Sequence, residues 1–177
     1  MSSAVPEVNR VLVVAAHPDD VVLGSGGTIA RHAEAGDQVQ VLIVAEGATS
    51  RFRHRDRPQA DEELSTLAKS AQRAGSILGA AGFELLDLPV KRLLSFEVVS
   101  STEWQPQGSA SAFHPTWFVD ISAQWQRNRE ALEAYDSEMR PSPNARSLRA
   151  VEHLARWRGV QVGVEAAEAF CLLRQLG

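Results

Sequence analysis

The sequence contains one cysteine, Cys171, among 177 residues. An internal disulfide and a metal cluster of cysteine thiolates are therefore excluded, so a metal site would have to use histidine and carboxylate ligands. Long hydrophobic runs are lacking too, since no apolar segment approaches the length of a membrane span. The opening MSSAVPEVNR lacks the basic-then-apolar order of a signal peptide. These absences predict a cytoplasmic protein with no membrane partner.

The sequence also lacks a large excess of either charge, because 18 basic and 22 acidic residues leave a net charge of −4. This balance gives no reason to expect nucleic acid or an acidic membrane surface as a partner. Hydrophobic residues make up 44% of the chain and charged residues 23%, which is ordinary for a globular protein. At this length we expect a single domain, residues 1–177, with its own hydrophobic core.

The first half of the sequence alternates between strand and helix patterns. Apolar runs at residues 11–16, 38–45 and 83–88 are typical of strands buried on both faces of a parallel sheet. Between them, helices are predicted at residues 28–35 and from about residue 59 to residue 78, the second preceded by a polar loop at 46–57. The β-α-β-α-β order predicts right-handed crossovers and a mostly parallel sheet.

The second half of the sequence is less regular. Its patterns predict two short strands, two helices and a final edge strand. The predicted strands are residues 92–99, 118–121 and 165–173, and the predicted helices are residues 122–138 and 145–158, the latter ended by Gly159.

The segment VLVVAAHPDDVVLGSGGT, residues 11–28, joins the first strand to a glycine cluster. Ligands of open α/β sheets bind outside the carboxyl ends of the strands, and His17, Asp19 and Asp20 follow such an end. Imidazole and carboxylate suit zinc, and a second carboxylate nearby could take a proton from a zinc-bound water. Two alternatives stay open. An aspartate could simply cap a helix, with His17 an ordinary strand-end residue, or GSGG could bind phosphate, although the carboxylates would repel a pyrophosphate.

The stretch HPDDVVLGSGGTIARHAEAGDQVQVLIVAEGATSR resembles the opening of the PIG-L/LmbE family of zinc-dependent N-acetyl amino-sugar deacetylases, whose motif is His-Pro-Asp-Asp-Glu followed by L-G-x-G-G-T. The tail, from FHPTWFVD at residues 113–120 through Arg158-Gly159 to AAEAF at residues 166–170, resembles one branch of that family. The resemblance implies a Rossmann-like α/β fold, LmbE-like, with helices on both faces of the sheet.

The resemblance also implies a cofactor, a substrate and site residues. The cofactor is Zn2+, and the partner is a small-molecule N-acetylated amino sugar or glycoconjugate of the N-acetylglucosamine type. His17 and Asp20 match the zinc ligands and Asp19 matches the general base. Arg51, in the segment Ala-Thr-Ser-Arg, matches a substrate-contacting arginine.

Three features depart from the family pattern. Val21 replaces the glutamate of the motif, and Ser142 stands where this branch carries a histidine in Pro-His-Pro-Arg-Ser. At Pro89-Val90 the sequence passes directly into a segment that resembles later family sequence, and no histidine occurs between His54 and His114. We therefore expect a central strand-helix segment, about one βαβ unit, to be missing together with the histidine motif that supplies the third zinc ligand.

The shortening leaves alternatives for the metal and for the function. His114 could substitute as a ligand, although it could also be an ordinary histidine of a surface loop. A histidine of a second subunit is another possible source of the third ligand. A first strand left at the sheet edge would be a dimerisation surface, so a homo-oligomer is one expectation. The alternative function is a shortened, non-catalytic homologue that binds a sugar or a partner protein.

Basic and aromatic residues invite two weaker hypotheses. The arginine-rich run at residues 51–57 could bind nucleic acid, steer an anionic substrate at the rim of the site, or be a solvated loop with no role. We expect no nucleic acid, because the run is short and the protein is acidic. Trp104 and Trp117 could stack on a sugar ring, although core packing is the ordinary role of tryptophan.

Overall fold

The computed structural model describes residues 8–44, 57–80, 91–106, 108 and 112–176. The predicted strand at residues 83–88, the junction at residues 89–90 and most of the predicted loop at residues 46–57 lie outside them. Within the described residues the elements are, in order, β1 (Arg10–Ala15), α1 (Pro18–Glu34), β2 (Gln38–Ile43), α2 (Arg57–Leu78), β3 (Arg92–Phe96), a 3-10 helix (Ser101–Trp104), β4 (Trp117–Asp120), α3 (Trp125–Glu133), α4 (Leu148–Val162) and β5 (Ala167–Gln175).

The strands β1 and β2 pair in parallel, in register from Arg10 opposite Gln38 to Ala15 opposite Ile43. The helix α1 connects them and packs on their inner face, where alternate apolar side chains of both strands point. On its other sides α1 contacts α2, α3 and β5, so it lies at the centre of the main core. The prediction of an α/β fold with a parallel sheet is confirmed.

The other face and the other edge of this sheet are uncovered by the described residues. Leu12, Val14 and Leu42 alternate with the core-facing residues and are 50%, 49% and 42% exposed. Among the described strands, none but β2 pairs with β1. The strand β3, within the predicted strand at residues 92–99, pairs with β5 and not with β1.

A second, antiparallel sheet has the strand order β3-β5-β4. The strand β5 was expected at an edge, and this expectation is wrong, because β3 and β4 pair with its two sides. Its first four residues, Ala167 to Phe170, are buried and are apolar apart from Glu168. Such a run is typical of a central strand. None of the helices in the described ranges is long and apolar enough to span a membrane.

The helix α1 begins ten residues before the predicted start at Thr28. Pro18 occupies its first turn, where a missing amide hydrogen costs nothing, and Asp19 and Asp20 place negative charge at its positive end. Glycines 24, 26 and 27 lie inside the helix, at close contacts with other elements. A Cβ on Gly27, for instance, would lie 2.7 to 2.8 Å from carbon atoms of Ile121.

The helices of the second half also differ from their predicted bounds. The helix α3 is shorter than the predicted 122–138, and α4 ends at Gly163 in the left-handed conformation (φ 79°) instead of at Gly159. Gly159 lies within α4, and a larger residue does not fit there because its Cβ would lie 2.5 Å from the Val164 carbonyl oxygen. Ser147 caps α4 by accepting a hydrogen bond from the Ala150 amide at 3.1 Å.

Candidate metal and catalytic site

The His-Pro-Asp-Asp segment links the carboxyl end of β1 to the first turn of α1. His17 is the N-cap residue of α1, and its amide donates a hydrogen bond of 3.0 Å to Asp20 Oδ2. Asp20 therefore does cap the helix, as the alternative hypothesis for this motif predicted. Capping fixes the carboxylate beside the histidine ring, so this role is compatible with metal binding.

The candidate ligand atoms lie close enough to share one ion. His17 Nδ1 is 3.2 Å from Asp20 Oδ2, within hydrogen-bonding distance, and two ligands on a tetrahedral zinc with bonds of about 2.0–2.1 Å are similarly spaced, about 3.3 Å apart. The side chains are 46% and 19% exposed, which leaves His17 accessible from solvent. These two residues fit one zinc ion with open coordination positions.

A third ligand is not supplied by the described part of the chain. Among those residues, no group of three or more histidine, cysteine, aspartate or glutamate side chains could hold a metal ion. His114 is exposed beside β5, where its carbonyl oxygen accepts a hydrogen bond from the Cys171 thiol at 3.0 Å. Arg51 and His54 lie outside the described residues.

Asp19 is buried, at 4% exposure, and forms an ion pair with Arg146. Arg146 comes from the segment that precedes α4, where Asn144 Oδ1 accepts its amide hydrogen at 2.9 Å. Burial lowers the pKa of the guanidinium, and its Nε has no hydrogen-bond partner. An adjacent guanidinium favours the ionised form of a carboxyl, which is the form that can accept a proton.

Sequence reasoning missed Arg146, although it noted that segment for its absent histidine. A buried carboxylate requires a cation or several hydrogen-bond donors. The sequence could not have pointed to Arg146 in this way, because it does not show that Asp19 is buried.

The turn before α1 is also held by Tyr135. Its hydroxyl donates a hydrogen bond of 3.0 Å to the carbonyl oxygen of Pro18, and the residue is 2% exposed. Burial raises the pKa of the Tyr135 phenol. The hydroxyl therefore remains a donor to the motif over the physiological pH range.

The centre of α1 is contacted by a carboxylate from β5. Glu168 Oε1 accepts a hydrogen bond from the Gly27 amide and Oε2 accepts one from the Thr28 amide, each at 2.8 Å. Burial raises the pKa of Glu168, and the bonds from Thr28 and Gly27 oppose this without cancelling it. The hypothesis of a phosphate loop at GSGG is wrong, because a carboxylate occupies two amides that would bind phosphate there.

The two tryptophans proposed for sugar stacking have different surroundings. Trp104 ends the 3-10 helix with 68% of its surface exposed. One face of the Trp117 ring is covered by the Arg92 guanidinium, 4.4 Å from the ring centroid. Trp104 is therefore the freer of the two to contact a ligand.

Comparison with known proteins adds a family and a fold. The family PIG-L, described as GlcNAc-PI de-N-acetylase, matches residues 12–156. The 1D-myo-inositol 2-acetamido-2-deoxy-alpha-D-glucopyranoside deacetylase of Actinosynnema mirum is 36% identical over 123 residues, which cover 66% of this chain and 40% of that relative. The chain thus spans about two fifths of the length of this curated relative.

Solved structures show the same fold. A conserved protein of Thermus thermophilus has a TM-score of 0.67 at 21% identity, with 97% of each chain covered. The N,N'-diacetylchitobiose deacetylase of Pyrococcus horikoshii has a TM-score of 0.66 at 17% identity, covering 94% of this chain and 84% of that one. The match over residues 12–156, which begins within β1 and includes the His-Pro-Asp-Asp turn, shows that the chain belongs to the PIG-L family.

Proposed function

We propose that this protein is a zinc-dependent hydrolase that removes the acetyl group from an N-acetylglucosamine-type substrate. Membership of the PIG-L family supports deacetylation, as does the similarity to a deacetylase that acts on an acetamido sugar. The single observation that carries the proposal is the placement of His17 Nδ1 and Asp20 Oδ2 3.2 Å apart, in the same turn as the buried Asp19.

In this proposal His17 and Asp20 hold the metal. Zinc bound there supplies a Lewis acid, which polarises an amide carbonyl and makes a bound water more acidic. The third ligand is a residue outside the described ranges or a histidine of a second subunit, because no described residue, His114 included, completes a three-residue metal group with His17 and Asp20. We assign Arg51 to substrate contact by resemblance alone.

Asp19 is the proposed general base. Its carboxylate takes a proton from the attacking water as the carbon–oxygen bond forms, and returns that proton to the nitrogen as the carbon–nitrogen bond breaks. The products are the free amine of the sugar and acetate. Arg146 is paired with Asp19 before the reaction, so the guanidinium competes with the attacking water for the carboxylate oxygen atoms.

Metal content and acetate release test this function together. Zinc per chain is measured by elemental analysis of gel-filtered protein, and acetate release is measured with N-acetylglucosaminides. We expect about one zinc per chain, lost in His17→Ala and retained in His153→Ala, which changes an exposed histidine of α4. Folded wild-type protein that holds no zinc and releases no acetate would refute the proposal.

The second candidate is a non-catalytic homologue that binds a sugar or a partner protein. It is favoured by one specific observation, the absence of a three-residue metal group among the described residues. It predicts a measurable sugar affinity, for example by calorimetry, that His17→Ala and Asp19→Asn leave unchanged. A sugar affinity that requires added zinc would instead support the deacetylase.

A further inference from the structure

Glu168 lies on β5, yet its hydrogen bonds go to the middle of α1, 141 and 140 residues away along the chain. The residue is buried, with 8% of its surface exposed. Both of its oxygens accept main-chain amide hydrogens, from Gly27 and Thr28. Such an arrangement is expected at the beginning of a helix, where the first amides lack partners.

Hydrogen bonds and close packing at the centre of α1 accompany the contact with this carboxylate. The amides of residues 27 and 28 lie within the continuous helix α1, whose geometry directs them toward the carbonyl oxygens of residues 23 and 24, so Glu168 adds a second acceptor for each. The Ser25 hydroxyl bonds the Val21 carbonyl oxygen at 2.9 Å, a contact that tends to bend helices. A side chain at Gly26 would collide with Asn128, because its Cβ would lie 2.9 Å from the Asn128 Cγ. Close packing thus holds this part of α1 while Glu168 binds its amides.

We propose that Glu168 is a positioning residue, which acts as an N-cap supplied by β5 to the second half of α1 and thereby fixes the orientation of the His-Pro-Asp-Asp turn at its beginning. The first half of α1, residues 18–26, is the continuous link between the capped amides and that turn. The turn is otherwise held by Tyr135 at Pro18 and by Arg146 at Asp19. Three different elements therefore set the site geometry, and Glu168 controls the axial position of the helix.

The part of this inference that concerns metal binding rests on the proposed function, whereas the capping itself does not. The test variant is Glu168→Gln, which keeps the shape but turns an amide nitrogen toward one of the two backbone donors. The matched control is Val39→Ala, because Val39 is also buried (1% exposed) but lies near the start of β2, opposite Val11. It should lower stability without touching the amides of α1.

Two readouts are compared between the variants. Hydrogen exchange followed by NMR reports on the amides of Gly27 and Thr28, with Ile29 and Ala30 as internal references. In Glu168→Gln we expect exchange at residues 27 and 28 to accelerate by about tenfold more than in Val39→Ala. The His17 ring resonances should shift only in Glu168→Gln, and its zinc affinity should fall by about tenfold or more.

The outcomes separate the inference from the function. Local acceleration with shifted His17 resonances supports positioning, even if wild-type protein holds no zinc, in which case the proposed function alone fails. Acceleration no greater than in the control overturns the capping role. Acceleration with unchanged His17 resonances and unchanged zinc affinity overturns the positioning role. If Glu168→Gln does not fold, Glu168→Asp, which retains both oxygens on a shorter side chain, is tested by the same readouts.

Discussion

Asp19 and Arg146 form an ion pair that joins the first turn of α1 to the segment preceding α4. The carboxylate side chain is 5% exposed and the guanidinium side chain 27% exposed, so water screens this pair only partly. The same pair places a positive charge beside the proposed base and connects the site to the segment that precedes α4. Its loss should therefore affect both stability and chemistry.

Replacement of Arg146 by alanine should lower the free energy of unfolding by about 1–3 kcal/mol, because Asp19 is left buried without its cation. Urea unfolding at neutral pH measures the change. Arg149→Ala is the control, since Arg149 is exposed on α4, and we expect an effect within about 0.5 kcal/mol. Adding Asp19→Asn to Arg146→Ala should cost less than the sum of the single changes. Additive costs would show that the two side chains do not interact.

Replacement of Asp19 by asparagine should reduce acetate release by about a hundredfold or more, because asparagine cannot accept the proton of the attacking water. Zinc content should stay at the wild-type level, since His17 and Asp20 are retained. Asp136→Asn, at an exposed position after α3, serves as the matched control. If Asp19→Asn retains the wild-type turnover, the assignment of Asp19 as the base is wrong.

The phenol of Tyr135 should remain protonated above its ordinary pKa of about 10 for as long as the protein is folded. It is the sole tyrosine of the sequence, so the ultraviolet absorbance of phenolate reports on this residue alone. Because burial raises its pKa in the folded state, its contribution to stability is complete below about pH 10 and is lost as the pH rises further.

Urea unfolding of the wild type and of Tyr135→Phe at increasing pH measures that contribution. Above about pH 10 the free energy of unfolding should fall more steeply in the wild type, by up to about 1.4 kcal/mol per pH unit, and the variant should lack this extra slope. Formation of phenolate at about pH 10 before unfolding would contradict the buried hydrogen bond to Pro18.

Two glycine substitutions should have opposite effects on stability. Gly26→Ala should destabilise by about 1–3 kcal/mol, because its methyl group overlaps Asn128, and Asn128→Ala should recover part of the loss. Gly75→Ala, in α2 with no atom within 4 Å of the added Cβ, should stabilise by about 0.5–1 kcal/mol. Thermal unfolding of the three variants provides the comparison. A stabilising Gly26→Ala would show that α1 is not closely packed there.

The sequence predicted the features that depend on neighbours along the chain. The β-branched run before His17 predicted β1, and the apolar residues that follow the crossover predicted its parallel partner β2. The His-Pro-Asp-Asp order predicted the family, because it depends on residue types and their spacing. The start of α1 was predicted ten residues too late, since three glycines resemble a loop until the atoms that fill the space beside them are known.

The sequence by itself therefore determined the strand whose carboxyl end presents His17, Asp19 and Asp20, because hydrophobic periodicity suffices for such a strand, whereas the helical first turn formed by that motif was not predicted. Only the tertiary structure decided which distant groups complete the site. Arg146 reaches Asp19, Tyr135 reaches Pro18, and Glu168 reaches the amides of α1. These contacts join residues more than a hundred positions apart, as with the 117 between Tyr135 and Pro18, and they follow from how α3, β5 and the segment preceding α4 lie against α1. No local pattern encodes that packing, because it satisfies buried polar groups whose burial exists only once the core has formed.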